Sequence, residues 1–289
     1  MKKLCLTTAI VVFLLFSSNG IQAQTLQPKL NQVCLANTEQ FSITSKYVEG
    51  ETYVIQVGLP VAYSSSQKSY PVLYVLDGDI GFGITKGIAD ALAILSQEIK
   101  DIIVIGISYG QGTDIWMQKR ARDYTPGKDT IVAKEWFPTY DGADNFLKFI
   151  QNELFPVVNN NYRTNPDSSA IMGISFGGLL SSYILFKQPD LFKGYIIADP
   201  SLFWNSKSIL KLENEYFRNH KELNCTVYMT YGSLDSKELI IDPTNELIQM
   251  IQMHNYQGLK LVTRVFEGET HVSVYSTAIT NGMKTLFKP

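Results

Sequence analysis

The chain carries the stretch AIMGISFGG at residues 170–178. Its first half, residues 170–174, is a continuous apolar run, which predicts a strand buried on both faces. Residues 176–187 predict a helix, so the pattern Gly-x-Ser-x-Gly stands where a strand turns into a helix. A sharp turn there exposes the hydroxyl of Ser175, and the glycines leave room for neighbouring backbone. This context predicts that Ser175 is a nucleophile, and a glycine-rich turn with an idle serine is the alternative interpretation.

Further strands and helices are predicted on both sides of this turn. The other predicted strands are residues 41–48, 52–59, 72–76, 102–107, 194–198, 226–230 and 261–266, and the other predicted helices are residues 146–154, 243–254 and 272–287. A hairpin followed by alternating strands and helices predicts an α/β fold, a mostly parallel sheet of about eight strands with helices on both faces. Residues 110–142 lack a clear apolar period, which predicts a long functional or capping loop.

The N-terminal residues predict a targeting segment. Lys2 and Lys3 precede an apolar stretch over residues 4–16, and the small residue Ala23 follows. This layout is typical of a secretory signal peptide, here residues 1–23, although an uncleaved membrane anchor is the alternative. We therefore expect an exported protein, periplasmic or secreted, with one domain over residues 24–289 and no membrane span after cleavage.

The composition argues against nucleic acids, metals and cofactors as ligands. The chain has 25 Lys and Arg against 27 Asp and Glu, so no basic excess is available to neutralise nucleic-acid phosphates. With 3 His and no paired-cysteine motif, we expect neither a metal nor a cofactor. After removal of Cys5, a bridge between Cys34 and Cys225 is possible, but buried free thiols are the favoured interpretation.

A serine nucleophile needs a base, and His271 is the predicted one. It lies between the last predicted strand and the last predicted helix, so it faces the same edge of the sheet as Ser175. His220 stands in a charged stretch that predicts solvent exposure. His254 stands at a helix end, where a cation is stabilised by the helix dipole.

The base needs a carboxylate to orient it, and Asp235 is the predicted one. It follows the predicted strand 226–230, which precedes the strand that leads to His271. Glu238 and Asp199 are rivals, and a Ser–His pair without an acid is a further alternative. The backbone N–H groups of Phe176 and Asp79 are predicted to bind the oxyanion, with Gly78 as the rival of Asp79.

At these residues the chain resembles the esterase D-like branch of the α/β-hydrolase fold, over roughly residues 40–287. The resemblance rests on residues 75–78, 120–126, 149–156, 161–163, 173–178, 200–204 and 269–271. It implies Ser175 as nucleophile, His271 as base and the N–H of Asp79 as an oxyanion donor. Two residues depart from the family pattern: Ile174 replaces a usual histidine, and Asp199 replaces a frequent serine. Residues 122–126 and 201–204 are most similar to the siderophore-esterase-like members.

The sequence therefore predicts an exported serine esterase that forms an acyl-enzyme with a small-molecule ester, such as a siderophore lactone or an acylated sugar. One alternative is an acyltransferase that uses a sugar or lipid hydroxyl as acceptor, and another is a catalytically idle binding protein. Arg120, Arg122 and Trp204 are predicted to line the leaving-group or acyl side. A buried ion pair with Asp123 and a packed indole remain equally open interpretations of these three residues.

Overall fold

The computed structural model describes residues 34–129 and 139–289, and residues 35–289 form one compact unit. The predicted signal peptide, residues 1–23, lies outside the described residues. Eight strands form one sheet in the order β1-β2-β4-β3-β5-β6-β7-β8. Their bounds are β1 Thr38–Thr44, β2 Thr52–Gly58, β3 Tyr70–Val75, β4 Ile103–Ser108, β5 Thr164–Ile174, β6 Gly194–Ala198, β7 Thr226–Gly232 and β8 Lys260–Phe266.

The sheet is mostly parallel, as predicted. Strand β2 pairs antiparallel with β1 and with β4, and every later neighbour pair is parallel. Strands β4 and β6 are buried along their whole length, which explains their continuous apolar sequences, whereas the edge strands β1 and β8 are largely exposed. The prediction of an α/β fold with about eight strands is confirmed.

Helices cover both faces of the sheet, and the sheet separates two large hydrophobic clusters. Their bounds are α1 Gly78–Asp90, α2 Thr113–Tyr124, α3 Ala143–Phe149, α4 Phe155–Asn161, α5 Phe176–Lys187, α6 Trp204–Asn219, α7 Asp242–His254 and α8 Val274–Leu286. Short π-helical segments, Ala91–Leu95, Ile150–Leu154 and Lys237–Ile241, extend α1, join α3 to α4 and precede α7. Helices α1 and α8 pack on one face, and α5 and α6 pack on the other.

The prediction of a long loop over residues 110–142 was wrong in its first part, because residues 113–124 form helix α2. Residues 130–138 lie outside the described residues. Helix α2 escaped prediction because its buried positions include Arg120 and Asp123, which are charged and hide the apolar period. Arg120 forms a buried ion pair with Asp77, and Asp123 accepts a hydrogen bond from the hydroxyl of Tyr53 on β2, so α2 packs through polar as well as apolar contacts.

Helices α1 and α6 were also not predicted. Helix α1 contains four glycines, which lower the helix propensity that a sequence pattern can reveal. At Gly78 the glycine is required by close approach, since a Cβ there would lie 2.9 Å from the backbone of Gly106 on β4. Helix α6 is interrupted near its start, where residues 205–207 adopt left-handed backbone angles. The regular helical period of α6 therefore begins only after residue 207, although the element starts at Trp204.

The two described cysteines are both free. Cys225 is buried, as expected, but Cys34 is exposed, so the prediction that both thiols are buried was wrong for Cys34. Burial raises the pKa of the Cys225 thiol to about 12, which keeps it protonated and unreactive. Among the described residues, no helix combines the length and the apolar character that crossing a bilayer requires.

Candidate active site

Ser175 occupies a strained turn between β5 and α5. Its backbone angles are φ 61° and ψ −120°, a conformation that a residue with a side chain rarely adopts. Gly173 permits the turn, because a Cβ at that position would lie 2.1 Å from the carbonyl oxygen of Gly177. The N–H of Ser175 donates to the carbonyl of Ala198 on β6 at 3.1 Å, which anchors the turn to the sheet. The serine hydroxyl is thereby presented at the carboxyl edge of the sheet.

His271 and Asp235 are bound to each other beside this turn. Asp235 follows β7, His271 follows β8, and the distance from His271 Nδ1 to Asp235 Oδ2 is 2.7 Å. The N–H of Ser236 also donates to Asp235, at 2.6 Å to Oδ1. Because a carboxylate only accepts hydrogen bonds, Nδ1 of His271 carries the proton in this pair and Nε2 is left as the acceptor. A neutral imidazole in this tautomer is suited to act as a general base.

Ser175 and His271 line the same cavity, which has a volume of about 760 Å³. The hydroxyl of Ser175 lies 3.3 Å from the hydroxyl of Ser201, and within the described part of the chain it makes no hydrogen bond with His271. Catalytic hydrogen bonds are often absent or long before substrate binds and form in the substrate complex. The pairing of nucleophile and base therefore requires a side-chain movement within the cavity.

The two predicted oxyanion donors lie at the starts of two helices. Phe176 is the first residue of α5, and Asp79 is the second residue of α1. N–H groups of a first helical turn point out of the helix end, where the helix dipole favours negative charge. The carboxylate of Asp79 accepts hydrogen bonds from the N–H groups of Tyr109 and Gly110, both at 2.8 Å. These two bonds hold the start of α1 at the edge of the sheet.

Arg120 lines the cavity, but its guanidinium is engaged by Asp77. Nε lies 2.7 Å from Asp77 Oδ1 and Nη2 lies 2.9 Å from Oδ2, while Nη2 also donates to the carbonyl of Ile174 at 3.3 Å. Burial alone would lower the pKa of Arg120, but the charge and hydrogen bonds of Asp77 outweigh burial and raise this pKa. Arg120 therefore links Asp77, the residue before α1, to Ile174, the residue before the nucleophile.

Replacing Arg120 by methionine should destabilise the protein strongly, because the carboxylate of Asp77 would remain buried without its cation. Breaking a buried ion pair by removing one partner costs about 3–5 kcal/mol, and urea unfolding measures that loss. The matched control is Lys284→Met, which removes an exposed ion pair with Glu98 and should leave the unfolding midpoint unchanged. Equal effects of the two substitutions would contradict a structural role for the buried pair.

Arg122 and Trp204 do not line the cavity. The guanidinium of Arg122 binds Asp123 at 2.6 Å and Glu51 at 3.0 Å, as the ion-pair interpretation predicted, whereas Arg120 pairs with Asp77 and the predicted pair with Asp123 was wrong for Arg120. Trp204 is fully buried, packs edge-on against the ring of Phe176 with centroids 5.4 Å apart, and donates its indole N–H to a backbone carbonyl. Both residues therefore pack behind the residues that line the cavity, and neither lies in the space where a substrate would bind.

The rival histidines lie away from the cavity. The ring of His220 stacks on Tyr216 at the surface, with centroids 4.5 Å apart. His254 Nδ1 lies 2.7 Å from Oε1 of the buried Glu213, and its ring stacks on Phe217. Neither histidine lines the cavity that holds Ser175.

The rival carboxylates differ in their relation to His271. Glu238 is exposed in the π-helical segment before α7. Asp199 is fully buried directly after β6, and one oxygen of Asp199, one oxygen of Asp235 and one ring nitrogen of His271 lie within 4.8 Å of one another. Three such ligand atoms could approach a cation, but the bond between Asp235 and His271 already uses Oδ2 and Nδ1. A cation there would compete with the contact that orients the imidazole.

The apolar wall of the cavity was not predicted. It is formed by side chains from α1, from α2, from the residue before α6, from the π-helical segment before α7, and from the loop and first turn of α8: Ile80, Trp116, Met117, Phe203, Leu239, Ile240, Val272 and Tyr275. Several of these are exposed at the rim, Val272 at 79%. They come from five segments that are far apart in the chain, so no local pattern in the sequence could have grouped them.

The chain is similar to known esterases. A family model described as "Putative esterase" matches residues 45–282. The ferri-bacillibactin esterase BesA of Bacillus subtilis is 27% identical, covering 90% of this chain and 92% of BesA, and the siderophore triacetylfusarinine C esterase of Aspergillus fumigatus is 28% identical, covering 89% and 95%. The crystal structure of the BES protein from Bacillus cereus superposes with a TM-score of 0.82 at 29% identity, covering 91% of this chain and 100% of that one.

Proposed function

The chain belongs to the esterase family and is a carboxylic ester hydrolase of the serine-hydrolase class with an α/β-hydrolase fold, and from this premise we propose that Ser175, His271 and Asp235 form its catalytic triad. The observation that carries the proposal is the bond between His271 Nδ1 and Asp235 Oδ2, 2.7 Å long, in the cavity that also contains Ser175. This bond leaves Nε2 of His271 to accept the serine proton.

The proposed reaction proceeds through an acyl-enzyme. The Ser175 oxygen attacks the ester carbonyl while its proton passes to Nε2 of His271, and Asp235 stabilises the imidazolium that forms. The N–H groups of Phe176 and Asp79 stabilise the oxyanion. The intermediate collapses, the alcohol leaves with the proton from His271, and a water molecule, deprotonated by His271, then releases the acid and regenerates Ser175.

We propose siderophore macrocycles, which are cyclic esters of several linked units, as the substrate class. The support is the naming of two relatives as esterases of ferri-bacillibactin and of triacetylfusarinine C. A wide cavity of about 760 Å³ with an apolar and partly aromatic wall agrees with a bulky substrate.

We also propose that residues 1–23 direct export and that residues 24–289 form the mature esterase domain, which N-terminal sequencing of the exported protein would test.

A substrate panel tests the proposed class. We expect purified protein to open cyclic siderophore triesters with a higher kcat/KM than feruloylated sugars, acetylated sugars or simple thioesters, because the wide apolar cavity contacts a large ligand over more of its surface. Mass spectrometry of the products, with and without an added alcohol, would also separate hydrolysis from acyl transfer. A higher kcat/KM on sugar esters, or transfer of the acyl group to the alcohol as the main outcome, would contradict the proposal.

A further inference from the structure

Asp199 is a buried carboxyl group to which the reaction described above assigns no role. It follows β6 with a left-handed φ of 39°, and its side chain is fully buried. Its N–H donates to the carbonyl of Thr230 at 2.9 Å, and its Oδ1 accepts from the N–H of Gly232 at 3.1 Å. Both partners belong to β7, whose following loop carries Asp235. The strand ends therefore hold the Asp199 carboxyl against the carboxyl of Asp235.

Ionisation of both carboxyl groups in this position is unfavourable. Oxygens of Asp199 and Asp235 lie within 4.8 Å of each other, and the Asp199 carboxyl has no access to water. Like charges this close in a buried site disfavour each other, which favours the retention of one proton by the pair.

The other charged groups nearby do not neutralise the pair. In the described part of the chain, a ring nitrogen of His271 also lies within 4.8 Å of an oxygen of Asp199. On β8 and the loop that follows it, Arg264 donates to Asn281, and Glu269 binds the hydroxyl of Ser273. The hydrogen bonds of Arg264 and Glu269 are thus made with residues other than Asp199 and Asp235.

The hydrogen bonds show which group holds the retained proton. Asp235 accepts two N–H groups, from Ser236 at 2.6 Å and from His271 at 2.7 Å, and such bonds stabilise an ionised carboxylate. Asp199 accepts one, from Gly232, and its buried Oδ2 faces no donor. An ionised Asp199 would leave that oxygen unsatisfied, whereas a protonated Oδ2 can donate to Asp235.

We propose that Asp199 is a protonated positioning residue, whose Oδ2–H donates a hydrogen bond to the Asp235 carboxylate and so holds Asp235 in the orientation that binds His271. The inference rests on the catalytic roles proposed above for Asp235 and His271. Burial raises the pKa of Asp199, and the charge of Asp235 adds to the rise despite the opposing bond from Gly232, to about 8. At neutral pH Asp199 therefore keeps its proton. Above about pH 8 a second anion replaces the donor and repels Asp235.

Three substitutions separate this role from that of a triad acid. Asp199→Leu removes the donor and should lower kcat about 10- to 100-fold with little change in KM, the usual cost of removing the partner of a functional side chain. Asp199→Asn should restore most of that loss, because its amide can donate to Asp235 and still accept from Gly232. Asp235→Asn should cost far more, about 10⁴-fold, because it disturbs the tautomer of His271.

The pH dependence of kcat provides a readout that a merely structural residue would not move. The wild type should lose activity above about pH 8, as Asp199 loses its proton, whereas Asp199→Asn should keep its activity through this range. An Asp199→Asn variant as impaired as Asp235→Asn, or one that retains the alkaline loss of the wild type, would overturn the proposal.

Thermal unfolding tests the protonation without any substrate. The unfolded chain releases the Asp199 proton near pH 4, but the folded chain releases it near pH 8, so the contribution of Asp199 to stability is lost as pH rises between these values. The Tm of Asp199→Asn should therefore rise relative to wild type across this interval and level off above it. A constant Tm difference would refute the protonated state. Because this measurement needs no activity, it can fail or succeed independently of the proposed esterase reaction.

Discussion

Ser175→Ala should lower kcat on a siderophore triester or a p-nitrophenyl ester by about 10⁵- to 10⁶-fold, the loss typical of removing the nucleophile of a triad. The strained turn exposes this one hydroxyl at the carboxyl edge of the sheet, beside the start of α5. Without it no acyl-enzyme can form, and only oxyanion binding and substrate binding remain. Steady-state rates of purified, folded protein measure the effect.

The matched control is Ser201→Ala. The hydroxyl of Ser201 lies 3.3 Å from that of Ser175, so both substitutions remove one oxygen from the same part of the cavity. We expect a small effect for Ser201→Ala, because its backbone lacks the strained turn. A fluorophosphonate probe should label the wild type and Ser201→Ala but not Ser175→Ala. Near-normal turnover by Ser175→Ala would reject the mechanism, and failure of the probe to label the wild type would favour an idle binding protein.

His271→Ala should reduce kcat by a similar factor, about 10⁵- to 10⁶-fold, since nucleophile and base act as one unit. The serine hydroxyl is a weak nucleophile until its proton is accepted, and Nε2 of His271 is the acceptor that Asp235 leaves available. The double variant with Ser175→Ala should be hardly worse than either single variant. Additive losses in the double variant would show that the two residues act separately.

His254→Ala provides a matched control, because His254 is also an imidazole bound to a carboxylate at 2.7 Å. It lies outside the cavity, so kcat of the folded protein should stay unchanged. Removing it leaves Glu213, which is fully buried, with one donor fewer, and we expect a loss of about 1–3 kcal/mol in the free energy of unfolding. Loss of activity in folded His254→Ala, with activity retained in His271→Ala, would reassign the base.

Much of the fold was predictable because a buried parallel strand appears in the sequence as a continuous apolar run. A strand such as β6 is covered on both faces, so every position is apolar and the run is visible without any knowledge of its neighbours. Helix α2 shows no such run, because the polar side chains of Arg120 and Asp123 are buried there. Residues far away along the chain bind them, Asp77 in the case of Arg120 and Tyr53 in the case of Asp123. A periodicity argument counts a buried charge as an exposed residue, which is why this helix was predicted as a loop.

The sequence alone determined the strands, the sharp turn at Ser175 and the strand ends that carry Asp235 and His271, because each depends on residues within a few positions of one another. The tertiary structure decided the roles of the charged groups. Only the sheet order brings Asp199 against Asp235, and only the packing of α2 on the strand ends commits Arg120 to Asp77. Whether a charge is paired, protonated or exposed depends on distance and burial, and both are set by contacts between segments that are remote in the chain.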